Sequence, residues 1–203
     1  MEQITYLLAN YNNGPYIQAC IASLEAQTSQ NWYCIIADDK STDNSLAVIK
    51  PLLNEKIKLI ENTQNIGKVA TLIRLIEHTK TDIIGILDPD DTLCPSTTTL
   101  VLAAYQKHPN TGFVYTNLTF YDEKMETILK PGRSTPVHKG RDTLMGGGFV
   151  DALRTFRISK YRQTAGYDAA IIYAEDRDLV YKMEEVTPFV FIDKPLYNYR
   201  QVP

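Results

Sequence analysis

Two acidic clusters carry most of the chemistry this chain could perform. Asp38-Asp39 closes one apolar run and Asp88-Pro89-Asp90-Asp91 closes another. A lone loop carboxylate ordinarily serves as a solvated cap, because Asp and Asn favour turns. Two such clusters at one edge would repel each other unless a cation sat between them. Mg²⁺ or Mn²⁺ suits that position, since both take oxygen ligands and commonly share one or two carboxylates with substrate phosphates. Tyr11, at the end of the first apolar run, offers an aromatic face on which a base could stack. A carboxylate at the end of the second run could accept a hydrogen from a base or a ribose.

What is missing narrows the chemistry further. The turn after the first apolar run reads Ala9-Asn10-Tyr11-Asn12-Asn13-Gly14, not G-x-G-x-x-G, and no G-x-x-x-x-G-K-[ST] occurs anywhere. A pyrophosphate therefore could not rest on bare backbone as in dinucleotide-binding or P-loop proteins, and would need a metal instead. The net charge of -3 gives no basic surface for tracking nucleic acid. No run of 18 apolar residues suggests a membrane span, and Met1 leads into a polar-flanked strand rather than a signal peptide. Cys20, Cys34 and Cys94 are odd in number and sit in apolar-looking segments, so they read as packed thiols of a reducing compartment, with the cytoplasm as the expected location.

The elements that must position these groups follow from periodicity. Residues 4–9, 33–38, 57–62 and 82–88 are apolar runs of strand length. Ile17, Cys20, Ile21 and Leu24 repeat at i, i+3, i+4, i+7, with Asn13 and Pro15 suited to start that helix. Ser41 is the expected cap of the next helix, which turns Leu46, Ile49 and Leu53 inward and is bent or ended by Pro51. Val69, Leu72, Ile73 and Ile76 form a third stripe. Alternating strands and helices at this spacing make βαβ units, hence an α/β fold with a mostly parallel central sheet flanked by helices. Ligands bind such sheets beyond the carboxyl ends of the strands, where both acidic clusters fall.

In the second half, residues 95–108 read as a helix and 112–120 as a strand. Residues 122–148 are polar and rich in Lys, Pro and Gly, which predicts a long loop or lid with little regular structure. The segment 133–149, with Gly146-Gly147-Gly148 as hinge, is expected either to close over a ligand or to be a simple linker. A last helix runs from about Asp176, and short strands at 189–192 and 196–199 flank Pro195 in a small mixed C-terminal part. One domain, 1–203, is the expectation.

With these residues in place, the chain resembles the inverting family 2 glycosyltransferases of GT-A fold. The resemblance rests on residues 4–12, Ile35-Ile36-Ala37-Asp38-Asp39-Lys40-Ser41-Thr42-Asp43, Asn65-Ile66-Gly67, Leu87-Asp88-Pro89-Asp90-Asp91, Ala174-Glu175-Asp176-Arg177-Asp178-Leu179 and Leu196-Tyr197-Asn198-Tyr199-Arg200. Each element alone is weak, but their order and spacing together are specific. The resemblance implies sugar transfer from a nucleoside-diphosphate sugar, UDP-linked in many relatives, to a saccharide or lipid-linked acceptor in surface polysaccharide or glycolipid synthesis. Peripheral membrane association is compatible with that role. Residues 1–95 would form the nucleotide-sugar half and 96–203 the acceptor half.

By position, the resemblance makes Tyr11 the base-stacking residue, with Ala9 and Asn10 beside it and Asp39 reaching a base nitrogen. Asp90 would lie near the ribose, Asp91 would bind Mn²⁺ or Mg²⁺, and Asp176 would be the general base. Asp176 shares a helical face with Leu179, Val180 and Met183 and also suits a plain N-terminal helix position. Relatives often carry a small-Arg-Asn triplet where this chain has Thr71-Leu72-Ile73; Lys68 is the candidate replacement cation, and Arg74, one turn on, could be a surface residue. Many relatives continue well past the Tyr-Arg pair, so the expectation is either a short enzyme or a fragment lacking part of its acceptor site.

Two other readings stand beside this one. Residues 86–93 match the strand-then-D-x-D-x-T pattern of aspartate-nucleophile phosphatases, although that motif normally closes the first strand of its fold and no catalytic lysine or terminal acidic pair is evident. A binding module that keeps the fold without turnover is the non-enzyme alternative.

Overall fold

Seven residues of the first strand, ITYLLAN, are buried almost throughout, as befits a parallel strand covered on both faces. The computed structural model describes residues 2–138, 140–171 and 173–202. The first half runs β1 (Ile4–Asn10), α1 (Ile17–Glu25), β2 (Trp32–Asp38), α2 (Ser45–Ile49), β3 (Ile57–Glu61), α3 (Lys68–Glu77) and β4 (Ile83–Ile86). The second half runs β5 (Thr92–Leu93), α4 (Thr97–Lys107), β6 (Phe113–Tyr121), β7 (Ile128–Pro131), α5 (Asp142–Met145), β8 (Arg154–Arg157), α6 (Ile158–Tyr161), α7 (Glu175–Val186) and β9 (Phe189–Arg200).

Among the described residues these strands form one sheet in the order β3-β2-β1-β4-β8-β6-β9-β5, with β7 paired to β6. The β3-β2-β1-β4 half is wholly parallel. β8 then enters antiparallel to both β4 and β6. The sheet is thus mixed: parallel where the acidic clusters lie and interrupted by β8 beyond β4.

Alternation along β1 divides the core. Ile4, Tyr6 and Leu8 join α1 on one face, while Leu7 meets α3 on the other. Ile17, Cys20, Ile21 and Leu24 of α1 are all buried, as their spacing predicts. Nine residues are too few for an isolated helix in water, so burial holds α1 in place, each large apolar side chain contributing roughly 1.5–3 kcal/mol. Among the described residues no helix is long and apolar enough to cross a membrane.

Several local expectations are corrected. Ser41 does not cap α2: its hydroxyl donates to Asp38 at 2.6 Å, and Asp43 Oδ1 instead accepts the Ser45 amide at 2.9 Å. Pro51 falls in a 3-10 turn, Lys50–Leu52, that continues α2, and Leu53 is exposed rather than inward. The polar segment 122–148 contains β7 and α5. Buried Glu184 of α7 accepts the first amides of α5, from Asp142 at 2.6 Å and Thr143 at 3.2 Å. The three glycines follow that turn, and at Gly147 a Cβ would lie 2.0 Å from Asp142 Oδ1. The two short strands around Pro195 are one strand, β9, with irregular register opposite Asn117.

Candidate active site

The carboxyl ends of β1, β2 and β4 open into a cavity of about 410 Å³, lined by Ala9, Asn10, Tyr11, Asp39, Lys68, Asp88, Asp90 and Asp91 among others. Every donor-side residue singled out from the sequence meets here. Tyr11 is 46% exposed, leaving its ring free to receive a planar ligand. Asn10 is buried and donates to Asp38 at 2.8 Å, which ties the end of β1 to that of β2. Asp38 also accepts the amide and hydroxyl of Ser41, so its role is to shape the turn.

Asp39 is 3% exposed and organises the loop opposite. Its Oδ1 accepts Asn62 Nδ2 at 2.7 Å and the Ile66 amide at 2.9 Å, while Oδ2 accepts the Gly67 amide at 2.8 Å. Gly67 has φ +87, a backbone state that few residues other than glycine adopt readily, and α3 starts at the next residue. One lone pair on Oδ2 remains for a ligand. Arg74 is not idle on the surface; its guanidinium donates to Asn62 Oδ1.

The turn after β4 concentrates charge. Asp88 pairs with Lys68 at 2.8 Å, and Lys68 reaches Glu175 of α7 at 3.5 Å. Burial works against the charge of Asp88, but Lys68, with help from Arg154, holds its carboxyl below the usual range. Asp91 is 1% exposed; Tyr197 Oη donates to it at 2.5 Å and the Arg200 amide at 2.7 Å. Burial, reinforced by the neighbouring Asp88 and Asp90 charges, pushes Asp91 up to about 8. Asp90 is likewise raised, by burial and then by Asp88. Arg200 also donates to the Asp90 and Glu123 carbonyls, so β9 braces the acidic turn from behind.

Asp176, in the first turn of α7, does not line this cavity. Its Oδ2 accepts Arg154 at 2.5 Å and its Oδ1 accepts the Arg177 amide at 2.8 Å. Arg154 belongs to β8 and its side chain is 13% exposed. Burial disfavours its charge, yet Asp176, Tyr167 and Asp88 outweigh that and raise its pKa. Lys68 therefore links α7 to the acidic turn, while Arg154 ties α7 to β8 through Asp176 and lies close enough to Asp88 for their charges to interact. Sequence reasoning missed Arg154; the only signal was a basic residue set among Leu153 and Phe156 in an apolar stretch.

The residues fit a divalent cation held jointly with a ligand. Among the described residues no group of three His, Cys, Asp or Glu side chains could hold a metal alone. The raised carboxyls of Asp90 and Asp91, with Lys68 engaged by Asp88 and Glu175, mark negative charge in need of a counterion. One or two carboxylates completed by phosphate and water is the usual Mg²⁺ arrangement.

Comparison with known proteins agrees with this geometry. The family model described as glycosyl transferase family 2 matches residues 6–163. Chondroitin synthase of Escherichia coli is 29% identical over 199 residues, covering 96% of this chain and 28% of the synthase. The structure of S. aureus TarS 1-349 in complex with UDP-GlcNAc superposes with a TM-score of 0.81 at 15% identity, covering 99% of this chain and 59% of that one. The mannosyltransferase PcManGT from Pyrobaculum calidifontis, in complex with GDP-Man and Mn²⁺, gives a TM-score of 0.67 at 18% identity, covering 97% of this chain and 56% of its own. The chain thus spans under a third of that synthase and about three fifths of TarS 1-349. Acidic turn, cavity, sheet order and family match converge: the chain belongs to glycosyl transferase family 2 and has the GT-A fold.

Proposed function

We propose that this domain transfers a sugar, with inversion, from a UDP-linked donor to an acceptor hydroxyl, assisted by Mn²⁺ or Mg²⁺. The observation that carries the reading is the cavity that gathers Tyr11, Asp39, Lys68, Asp88, Asp90 and Asp91 beyond the ends of β1, β2 and β4. The UDP-GlcNAc bound by TarS and the GDP-Man and Mn²⁺ bound by the mannosyltransferase support a nucleotide-sugar donor and a metal. Residues 1–95 form the donor half and 96–203 the acceptor half. Three free thiols fit a reducing compartment, and the cytoplasm is where we place the reaction.

In this reading Tyr11 stacks on the base, flanked by Ala9 and Asn10, while the remaining lone pair of Asp39 Oδ2 accepts a base N–H. Asp90, the more exposed of the two acidic neighbours, lies toward the ribose and would share the cation with Asp91. Each Asp91 oxygen accepts one hydrogen bond from β9, which fixes the turn and leaves a lone pair on each with which Asp91 would bind the metal. Bound there, the metal would supply positive charge to the leaving diphosphate. Lys68, anchored on Asp88 and Glu175, adds a second positive charge to the cavity wall. Asp176 takes the proton of the acceptor hydroxyl as it attacks the anomeric carbon, and Arg154 fixes the orientation of that carboxylate. A single in-line displacement needs no covalent intermediate and inverts the anomeric centre. An acceptor in polysaccharide assembly is supported by the likeness to chondroitin synthase.

The test is incubation with UDP-linked and GDP-linked sugars and Mn²⁺, following nucleoside diphosphate release and product anomer by NMR. The reading expects UDP release, a β-linked product from an α-linked donor, and loss of turnover on chelation. Release of inorganic phosphate from small phosphoesters without sugar transfer would favour the phosphatase alternative.

A further inference from the structure

A second cavity, about 290 Å³, opens between α7 and the segment that follows α5. Phe149, Val150, Arg177, Val180 and Tyr181 line it, and it shares no lining residue with the donor cavity. Phe149 carries two guanidinium groups against its ring, Arg133 at 5.0 Å and Arg177 at 5.5 Å from the centroid. Among the described residues, neither of these side chains has a hydrogen bond or an ion pair.

The place is built rather than loose. Thr135 and Phe149 exchange backbone and hydroxyl hydrogen bonds at 2.8 Å, and Asp151 donates its amide to Ser134 at 3.1 Å. Tyr115 from β6 holds the same strip, donating to the Thr135 carbonyl at 2.7 Å. Arg177 of the wall follows Asp176, the proposed base, on α7, and Asp151 lies within the fields of Arg133, Arg154 and Asp176. Arg154 is already paired with Asp176, and Asp142 and Glu184 bond to backbone and hydroxyl groups, whereas Arg133 and Arg177 are exposed, with no carboxylate among the described residues bonded to either. A guanidinium stacked on a ring keeps its N–H edge free, and that edge matches carboxylate and phosphate oxygens in pairs.

We infer that this cavity is an acceptor subsite for an anionic group, a carboxylate or a phosphate, met by Arg177 on its wall and by Arg133 reaching in from the Phe149 ring, while the attached sugar lies against Phe149 and Tyr181. The inference rests on the donor reading above, because it supplies the acceptor that Asp176 would deprotonate. A neutral acceptor could not make the paired, charge-assisted hydrogen bonds that these two edges offer. The acid could come from a uronate sugar or from a phosphodiester chain, and the two sources are separable by probe.

The experiment measures binding of three probes of equal length: a hexuronate-terminated oligosaccharide, a glycerol-phosphate oligomer and a neutral oligosaccharide. Each is titrated into the wild-type chain, Arg133→Gln, Arg177→Gln and the double variant, with UDP plus Mn²⁺ titrated in parallel. At least one acidic probe should bind more than about tenfold tighter than the neutral one, and each single variant should lose roughly tenfold, as removal of a charge-assisted hydrogen bond does. UDP binding should be retained in all variants, which reports an intact fold. Equal binding of neutral and acidic probes, no binding of any probe, or full acidic binding by the double variant overturns the subsite. Failure of UDP to bind wild type, with acidic binding intact, strikes the donor reading instead.

Discussion

Lys68 stands between Asp88 and Glu175, 2.8 Å from the first carboxylate and 3.5 Å from the second. It thereby ties the turn after β4 to the start of α7, joining the donor cavity to the helix that carries Asp176. Lys68→Met would keep the aliphatic stem and leave Asp88 without its nearest cation. Because Lys68 is partly exposed, solvent softens the loss to about 1–2 kcal/mol, below that of a fully buried pair. Urea unfolding should show that decrease, with weaker UDP binding besides.

Tyr11 lies open at the mouth of the donor cavity, so its truncation tests base stacking with little effect on packing. Tyr11→Ala should weaken UDP binding by about 1–3 kcal/mol, the usual worth of a base on an aromatic face. Tyr11→Phe should be nearly neutral. Calorimetry distinguishes these outcomes, and unchanged affinity in Tyr11→Ala would place the base elsewhere.

Asp91 should make the metal-free protein less stable as pH rises. Its folded pKa, about 8, lies above its ordinary value of 3.8, with burial the larger cause and the charges of Asp88 and Asp90 the next. Between those values the folded state holds a proton that the unfolded state has released. The stabilisation is complete below the unfolded pKa and is lost as pH climbs toward about 8. Melting temperature measured with a chelator present should fall across that window, and the slope should flatten in Asp91→Asn. An identical slope in the variant would show that Asp91 ionises normally.

Asp176→Asn should leave UDP affinity intact, because the side chain lies outside the donor cavity. Transfer should drop by roughly 10²–10⁴-fold, the typical contribution of a general base. Arg154→Lys should reduce kcat with little change in donor KM, since an ammonium cannot hold the carboxylate as a planar fork does. Normal turnover in Asp176→Asn would remove Asp176 from the reaction.

The donor side of this site was legible because its residues end parallel strands whose apolar runs are plain in the sequence. Residues 4–9 and 33–38 became β1 and β2 within a residue or so, and both acidic clusters reached one edge. The side of the site around β8 and α7 was not legible. β8 has four residues and β5 two, too short for periodicity to register, so Arg154 had no element to place it. Pairing partners were equally hidden. Periodicity says which face a residue takes, not that Tyr197 and the Arg200 amide each donate to an oxygen of Asp91. The segment 133–149 misled through its polar, glycine-rich text, whereas Glu184 and Tyr115 pin it from elements distant in sequence.

The central claim is that the acidic turn after β4 grips a cation shared with a nucleoside diphosphate. Calorimetric titration of UDP with Mn²⁺ or with EDTA, into wild type and Asp90→Ala, tests it most directly. The account predicts that Mn²⁺ strengthens UDP binding to wild type at least tenfold, about 1.4 kcal/mol, and that Asp90→Ala loses this increment. UDP affinity indifferent to Mn²⁺ in wild type, or an increment undiminished in Asp90→Ala, would contradict it.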